Sequence, residues 1–260
     1  LGLLLLLAGC GVRPPAPPPA LPTALPVEAA ATAFYLTENA PPPGREVVSF
    51  PQIDAGLAQQ PGWRYEATLS FEGVFARTTR PITARTTLEV SFNQVTSARR
   101  VSASVDNDLQ SDTPPTLFEA VRLAQDTFLV RDGGCITGSS PEMTAAADFS
   151  AGAILGGVQQ ARSAPRRAVI NSQTVWRYDF TAPELLLPGI TLSPESRLGE
   201  MTGELWVAAE KNIVIRYYVT LAVDNVRLFG GELPISGTLR LEYDLYDTGT
   251  APNITVPFGC

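Results

Sequence analysis

Side chains able to do chemistry are few in this chain. It contains no histidine, which excludes Ser-His-Asp and Cys-His arrangements and His-ligated zinc. The usual acid–base group near neutral pH is missing with it. Carboxylate-only chemistry, Ser-Lys chemistry and calcium sites remain. A Ser-Lys pair would need Lys211, the only lysine, and its Ala-Glu-Lys-Asn surroundings read as a hairpin turn. Ser102, Ser104, Ser139 and Ser140 have no partner base. Asp106-Asn107-Asp108 lacks the glycine and distal glutamate of an EF-hand loop and reads as the end of a strand. Glu242, Asp244 and Asp247 would serve a carboxylate-dependent cell-wall hydrolase only if two carboxylates faced each other across a cleft at about 5 to 10 Å. Alternation instead puts Glu242 and Asp244 beside Arg240 on the wet face of a strand. The expectation is a non-enzyme with no catalytic residue, no metal and no cofactor.

Leu7-Ala8-Gly9-Cys10 carries a different chemistry. It closes an apolar run from Leu3 to Leu7 that is too short to span a bilayer. The stretch resembles the lipobox of bacterial lipoproteins: a branched residue, two small residues that admit a peptidase, then a cysteine. The resemblance implies that Cys10 takes a diacylglyceryl thioether and becomes the mature N-terminus. Two acyl chains suffice for stable attachment, at about 0.8 kcal/mol per buried methylene. Residues 1–9 are therefore expected to be a signal peptide, continued upstream of Leu1. The protein is expected on the outer face of a cell membrane, or on the periplasmic side where an outer membrane exists. With Cys10 lipidated, Cys135 and Cys260 remain, an even pair in an oxidising compartment. A disulfide between them closes a loop of about 125 residues, for which the chain-entropy model gives roughly 5 kcal/mol as an upper figure.

Composition agrees with a folded, anchored domain. Hydrophobic residues make up 45% of the 260 residues, and the formal net charge is −7. That acidity makes nucleic acid an improbable partner, since a basic stripe is missing. A monomer is expected, with the membrane reached through Cys10. Residues 10–30 combine the lipidated cysteine with a proline-rich tether of polyproline II character, a semi-rigid spacer of about 3.1 Å per residue. Residues 31–260 are read as one α+β domain.

The elements that must position any site are mostly strands. Trp63, Tyr65, Ala67, Leu69 and Phe71 alternate with polar residues, a half-buried strand that Glu72-Gly73 is expected to turn. Leu88, Val90 and Phe92 repeat the pattern, as do Val101, Ala103 and Val105. Residues 117–123 could follow helical spacing, but Gln125-Asp126, Thr127 to Val130 and Arg131 to Gly134 read better as part of a strand, turn, strand, turn pattern. The stretch from 140 to 162 is the best helical candidate, with Pro141 in the first turn and an Ala-rich run, although Gly152 and Gly156-Gly157 favour two shorter helices. Hairpins follow at 168–180 and 204–223, then a last strand around Leu239 to Leu245. Ala182 to Ile190, with three leucines between prolines, reads as a lid or a plug.

A long antiparallel sheet with so few helices must close on itself, fill its apolar face, or leave a cavity. Phe71, Phe92, Phe128, Trp176, Tyr178 and Tyr217 are the aromatics expected to line that space; a solid core is the equal alternative. The stretches Gly203-Glu204-Leu205-Trp206-Val207, Val214-Ile215-Arg216-Tyr217, Gly237-Thr238-Leu239 and Tyr243-Asp244-Leu245-Tyr246-Asp247, ending in Ile254 to Pro257 and Cys260, carry a family resemblance. With the lipobox and tether, the chain resembles the LppX/LprG group of lipoproteins, related in fold to the carrier LolA. The resemblance implies a half-barrel sheet with a few helices on its concave face and a cavity for a lipid or other hydrophobic ligand. It brings no catalytic motif. The alternative is a surface-anchored interaction or scaffold module with a filled core.

Overall fold

The computed structural model describes residues 27–107 and 116–260. The lipobox with Cys10, the tether up to residue 26, and Asp108 lie outside the described residues. The chain opens with helix α1 (Val27–Glu38), followed by β1 (Val47–Phe50). A six-strand meander follows: β2 (Gly62–Phe75), β3 (Pro81–Asn93), β4 (Ala98–Asn107), β5 (Thr116–Leu123), β6 (Asp126–Arg131) and β7 (Gly134–Gly138). Two short helices, α2 (Pro141–Asp148) and α3 (Ala151–Leu155), lead to β8 (Gly157–Ile170) and β9 (Gln173–Asp179). Then come β10 (Leu185–Leu186), β11 (Ile190–Thr191), β12 (Arg197–Ala208), β13 (Ile213–Leu228) and β14 (Ile235–Tyr246).

Among the described residues these strands form one 14-stranded antiparallel sheet, twelve of them in the order β1-β8-β9-β12-β13-β14-β2-β3-β4-β5-β6-β7, with β10 paired to β8 and β11 to β13 off that path. The sheet is open rather than a closed barrel, with few helices. Tight turns set the hairpin registers. Asn171-Ser172 (φ 48° and 63°) joins β8 to β9, and Asp132-Gly133 (φ 53° and 75°) joins β6 to β7. Positive φ at both central residues is what a two-residue hairpin loop requires. Residues directly opposed across antiparallel strands share a face. One row therefore runs Tyr178, Leu205, Tyr217, Tyr243, Ala67, Leu88, Ala103, Phe118 across the inner face. Burial follows that face, and nearly all of it belongs to one hydrophobic cluster.

Glu72-Gly73 is not the expected turn. β2 continues to Phe75, and Gly73 lies opposite Gly237 of β14. A Cβ on Gly73 would come within 2.6 Å of the Phe71 ring and 2.3 Å of the Ser236 carbonyl oxygen. The glycine pair thus makes room for Phe71 to lie over the strands.

The helical stretch also ends earlier than 162. Ser140 caps α2 by accepting from the Met143 N–H at 3.3 Å, and Ser150 caps α3 by accepting from Ala153 at 3.3 Å. Gly156 has φ 70°, and a Cβ there would sit 1.8 Å from the Leu186 carbonyl oxygen. Residues 157–170 are therefore strand, paired with β1, β9 and β10. The two helices bury Met143 and Ala147, then Ala151, Gly152, Ile154 and Leu155, on the inner face. Arg99 anchors α2, donating to the carbonyls of Ala147 at 2.9 Å and Phe149 at 2.8 Å.

The segment after β14 crosses the other face. Gly249 N–H donates to Gly62 at 2.9 Å, the Asn93 side chain donates to Pro252 at 2.8 Å, and Ile254 packs with Ala98 and Val121. Cys260 is bonded to Cys135 of β7, 125 residues away in sequence. Cys135→Ala with Cys260→Ala should cost about 2 to 5 kcal/mol of stability. Urea unfolding of this variant beside the oxidised parent checks it; equal midpoints would contradict the assignment.

Candidate functional site

Five of the six expected cavity aromatics share the inner face. Phe71 opposes Leu239 and Ala84, while Phe92, half-buried, stacks on Trp63 with centroids 5.4 Å apart. Trp176 donates through its indole N–H to the Ala40 carbonyl at 2.8 Å. Tyr178 donates to the Arg45 carbonyl at 2.7 Å. Tyr217 opposes Leu205 and Tyr243. Phe128 is placed on the opposite face: it is paired with Val121, whereas its neighbour Leu129 opposes Ala120 on the inner side. The run Thr127-Phe128-Leu129-Val130 lacks alternation, so the sequence has no signal for which member faces in.

The tyrosines divide by what their hydroxyls do. Tyr65 donates to an Asp54 carboxylate oxygen at 3.3 Å and accepts from the Ala151 N–H at 3.1 Å, tying β2 to the start of α3. Tyr178 is satisfied by Arg45, and Tyr218 by Asp244 on the outer face. The fully buried Tyr217 and Tyr243 differ: neither hydroxyl has a partner among the described residues. An unpaired buried hydroxyl costs about 1 to 3 kcal/mol.

The sheet itself has a weak seam beside this pair. β9 meets β12 at only Tyr178–Leu205, Arg177–Trp206 and Trp176–Val207. β9 ends at Asp179, and residues 180–191 run on from it to span from β8 to β13. Leu185-Leu186 pair with Val158 and Gly157 of β8, and Ile190-Thr191 pair with Leu228 and Arg227 of β13. Between them Leu187 and Ile190 pack on the core. Phe180 lies against Gly203, where a Cβ would come within 2.6 Å of its ring, and its centroid is 6.0 Å from Tyr217. A recess of about 510 Å³ adjoins the β11 end, lined by Arg77, Thr191, Leu192, Pro194, Arg227 and neighbouring residues. The short apolar stretch read as a lid or plug is thus a bridge with a two-residue ladder at each end. What the sequence does not reveal is that this stretch pairs with both β8 and β13, because that depends on non-local pairing.

The carboxylates singled out for acid–base chemistry are on the outer face. Asp244 is engaged by Arg216 at 2.8 Å and by the Tyr218 hydroxyl. Asp247 pairs with Arg64 at 3.4 Å, and Glu242 opposes Tyr218 and Thr68. These are ion pairs and hydrogen bonds of a solvated sheet face.

Burial raises the tyrosine pKa values. Desolvation pushes Tyr178 up to about 12 and holds Tyr65, Tyr217 and Tyr243 higher still. Unfolded tyrosine ionises near 10, so above about pH 10 the unfolded chain releases protons that the folded one keeps. Stability is therefore undiminished below about pH 10 and falls from there through about pH 12. Urea midpoints taken between about pH 8 and 11 should decline above about pH 10, with phenolate absorbance from these residues appearing only on unfolding. Flat midpoints would contradict the burial pattern.

No family model matches the chain, and no curated protein matches it in sequence. Among solved structures it is similar to LprF from Mycobacterium bovis, with 13% identity and a TM-score of 0.33 over 79% of this chain and 93% of that one. It is also similar to the LolA superfamily protein NE2245 from Nitrosomonas europaea, with 8% identity and a TM-score of 0.23 over 78% of this chain and 93% of that one.

Proposed function

We propose that this protein is a membrane-anchored extracytoplasmic lipoprotein that binds or carries a lipid or other hydrophobic ligand without catalysing a reaction. The observation that carries the reading is the apolar stretch 180–191, which spans from β8 to β13 beside a β9–β12 contact of only three residue pairs. Long antiparallel strands expose one apolar face that must be covered. Here two short helices and residues 180–191 cover much of it, and the bridge is held by two paired residues at the β8 end and, at the β13 end, by two more and the Phe229 N–H donating to the Gly189 carbonyl at 2.7 Å. Such a cover opens more readily than the ladders beside it, because few hydrogen bonds have to break. Apolar chains entering there would replace the bridge's contacts with the inner face by their own. Attachment through Cys10 and a proline-rich tether would keep the domain within reach of the bilayer that supplies such ligands.

A second reading, an interaction or scaffold module, is favoured by α1. That helix buries no residue and leaves Phe34 68% and Leu36 45% exposed, an apolar surface suited to a protein partner.

Native mass spectrometry of gently purified protein, and of delipidated protein mixed with phospholipid vesicles, distinguishes the two. A carrier shows co-purified lipid or takes up one ligand from the vesicles. Protein that carries no lipid and takes none up would overturn the carrier reading.

A further inference from the structure

Within the proposed ligand path, Tyr217 and Tyr243 form an unusual pair. They oppose each other on β13 and β14, both are 0% exposed, and neither hydroxyl has a partner among the described residues. Buried polar groups in folded proteins are nearly always hydrogen-bonded. Tyr65, Tyr178 and Tyr218 on the same sheet meet that rule, through Asp54 and Ala151 for Tyr65, Arg45 for Tyr178 and Asp244 for Tyr218. Phenylalanine would fill both positions without leaving a donor unpaired.

The location matters as much as the missing partners. Tyr217 lies beside Phe180, the first residue of the bridge, which rests on Gly203 where β9 and β12 separate. Tyr243 is beside Tyr65, at 5.2 Å between centroids, and so adjoins the start of α3, which Tyr65 holds through the Ala151 N–H. The pair therefore spans the inner face between the bridge and α3.

We propose that Tyr217 and Tyr243 are hydrogen-bond donors to the carbonyl oxygen of an ester-linked acyl lipid, so that the site selects lipids by their linkage as well as their chains. This inference rests on the carrier reading. A phenol can donate or accept, but a buried ammonium group would bring an unpaired charge into an apolar surrounding. Burying a free carboxylate there would carry the heavy desolvation cost of an unpaired charge. A neutral carbonyl supplies the acceptor without that cost, and a hydrocarbon or ether-linked chain supplies none or a poorer one. Buried donors left unpaired by the wrong ligand discriminate more strongly than extra apolar contact does.

The test compares ester-linked phosphatidylcholine with its ether-linked analogue of the same chain length, presented as vesicles to delipidated full-length protein and to the Tyr217→Phe and Tyr243→Phe variants. The parent should bind the ester lipid about three- to tenfold more tightly than the ether lipid, the range of one or two neutral hydrogen bonds. Each variant should lose that preference by weakening ester binding alone. Thermal melting provides the folding control: both variants should melt at or above the parent's temperature, since an unpaired hydroxyl has been removed. Equal binding of both lipids by the parent, or ester binding undiminished in both variants, would overturn the assignment while leaving the carrier reading intact; an ordered water as the phenols' partner gives that result. Failure of the parent to bind either lipid would overturn both.

Discussion

Strand β14 pairs with β2 along its whole 12-residue length, from Ile235–Phe75 to Tyr246–Arg64. The rest of the structure depends on that contact. It joins a meander of β2 to β7 with a second group built around β12 and β13, which would otherwise be two smaller sheets. Joined, their apolar faces become one continuous surface with Leu69, Phe71, Leu239 and Leu241 at its centre. The pairing spans most of the chain, so its loop-closure entropy must be met before the contact contributes, and folding should be slow for the chain's size. Gly73 and Gly237 facing each other beneath Phe71 let an aromatic ring bridge the junction where side chains on both strands would clash.

One continuous apolar face creates the second constraint, which is its cover. Helices α2 and α3, the turn carrying Ile53 and Leu57, and the bridge at 180–191 all pack on it. These pieces are unequal in strength. α2 is fastened by Arg99 and by ion pairs of Arg122 and Arg131 with Asp148 and Glu142. The bridge depends on short ladders and on leucines. On the opposite face, the segment after β14 is fixed through Ile254 and Cys260. The energetic logic is that of a stable sheet under a locally weak lid.

Much of this was legible in the residues. Period-two alternation placed β2 at Trp63 to Phe71, β3 at Leu88 to Phe92, and both β13 and β14, because one face of each is wet and the contrast is strong. Cysteine arithmetic singled out Cys135 and Cys260. Alternation gave no purchase where both faces are covered, as at Thr127 to Val130, whose outer side lies under the C-terminal segment with Val121. Helical pattern over-ran Gly156, because the carbonyl of Leu186 that forbids a side chain there comes from thirty residues further on. The leucine-rich stretch at 182–190 had the composition of a lid, but its place between β8 and β13 is a product of strand order. The unpaired hydroxyls of Tyr217 and Tyr243 are invisible in the same way: a tyrosine in an alternating strand reads as an amphipathic core residue until every neighbour is in place.

The central claim is that the bridge can leave while the sheet stays. Native-state hydrogen exchange under increasing denaturant measures it directly. The account predicts that amides of Leu185, Leu186, Ile190 and Thr191 exchange through a local opening of low free energy, while those of β13, β14 and β2 exchange only with global unfolding. Exchange of the bridge and the β14–β2 ladder together, at the same free energy, would contradict it.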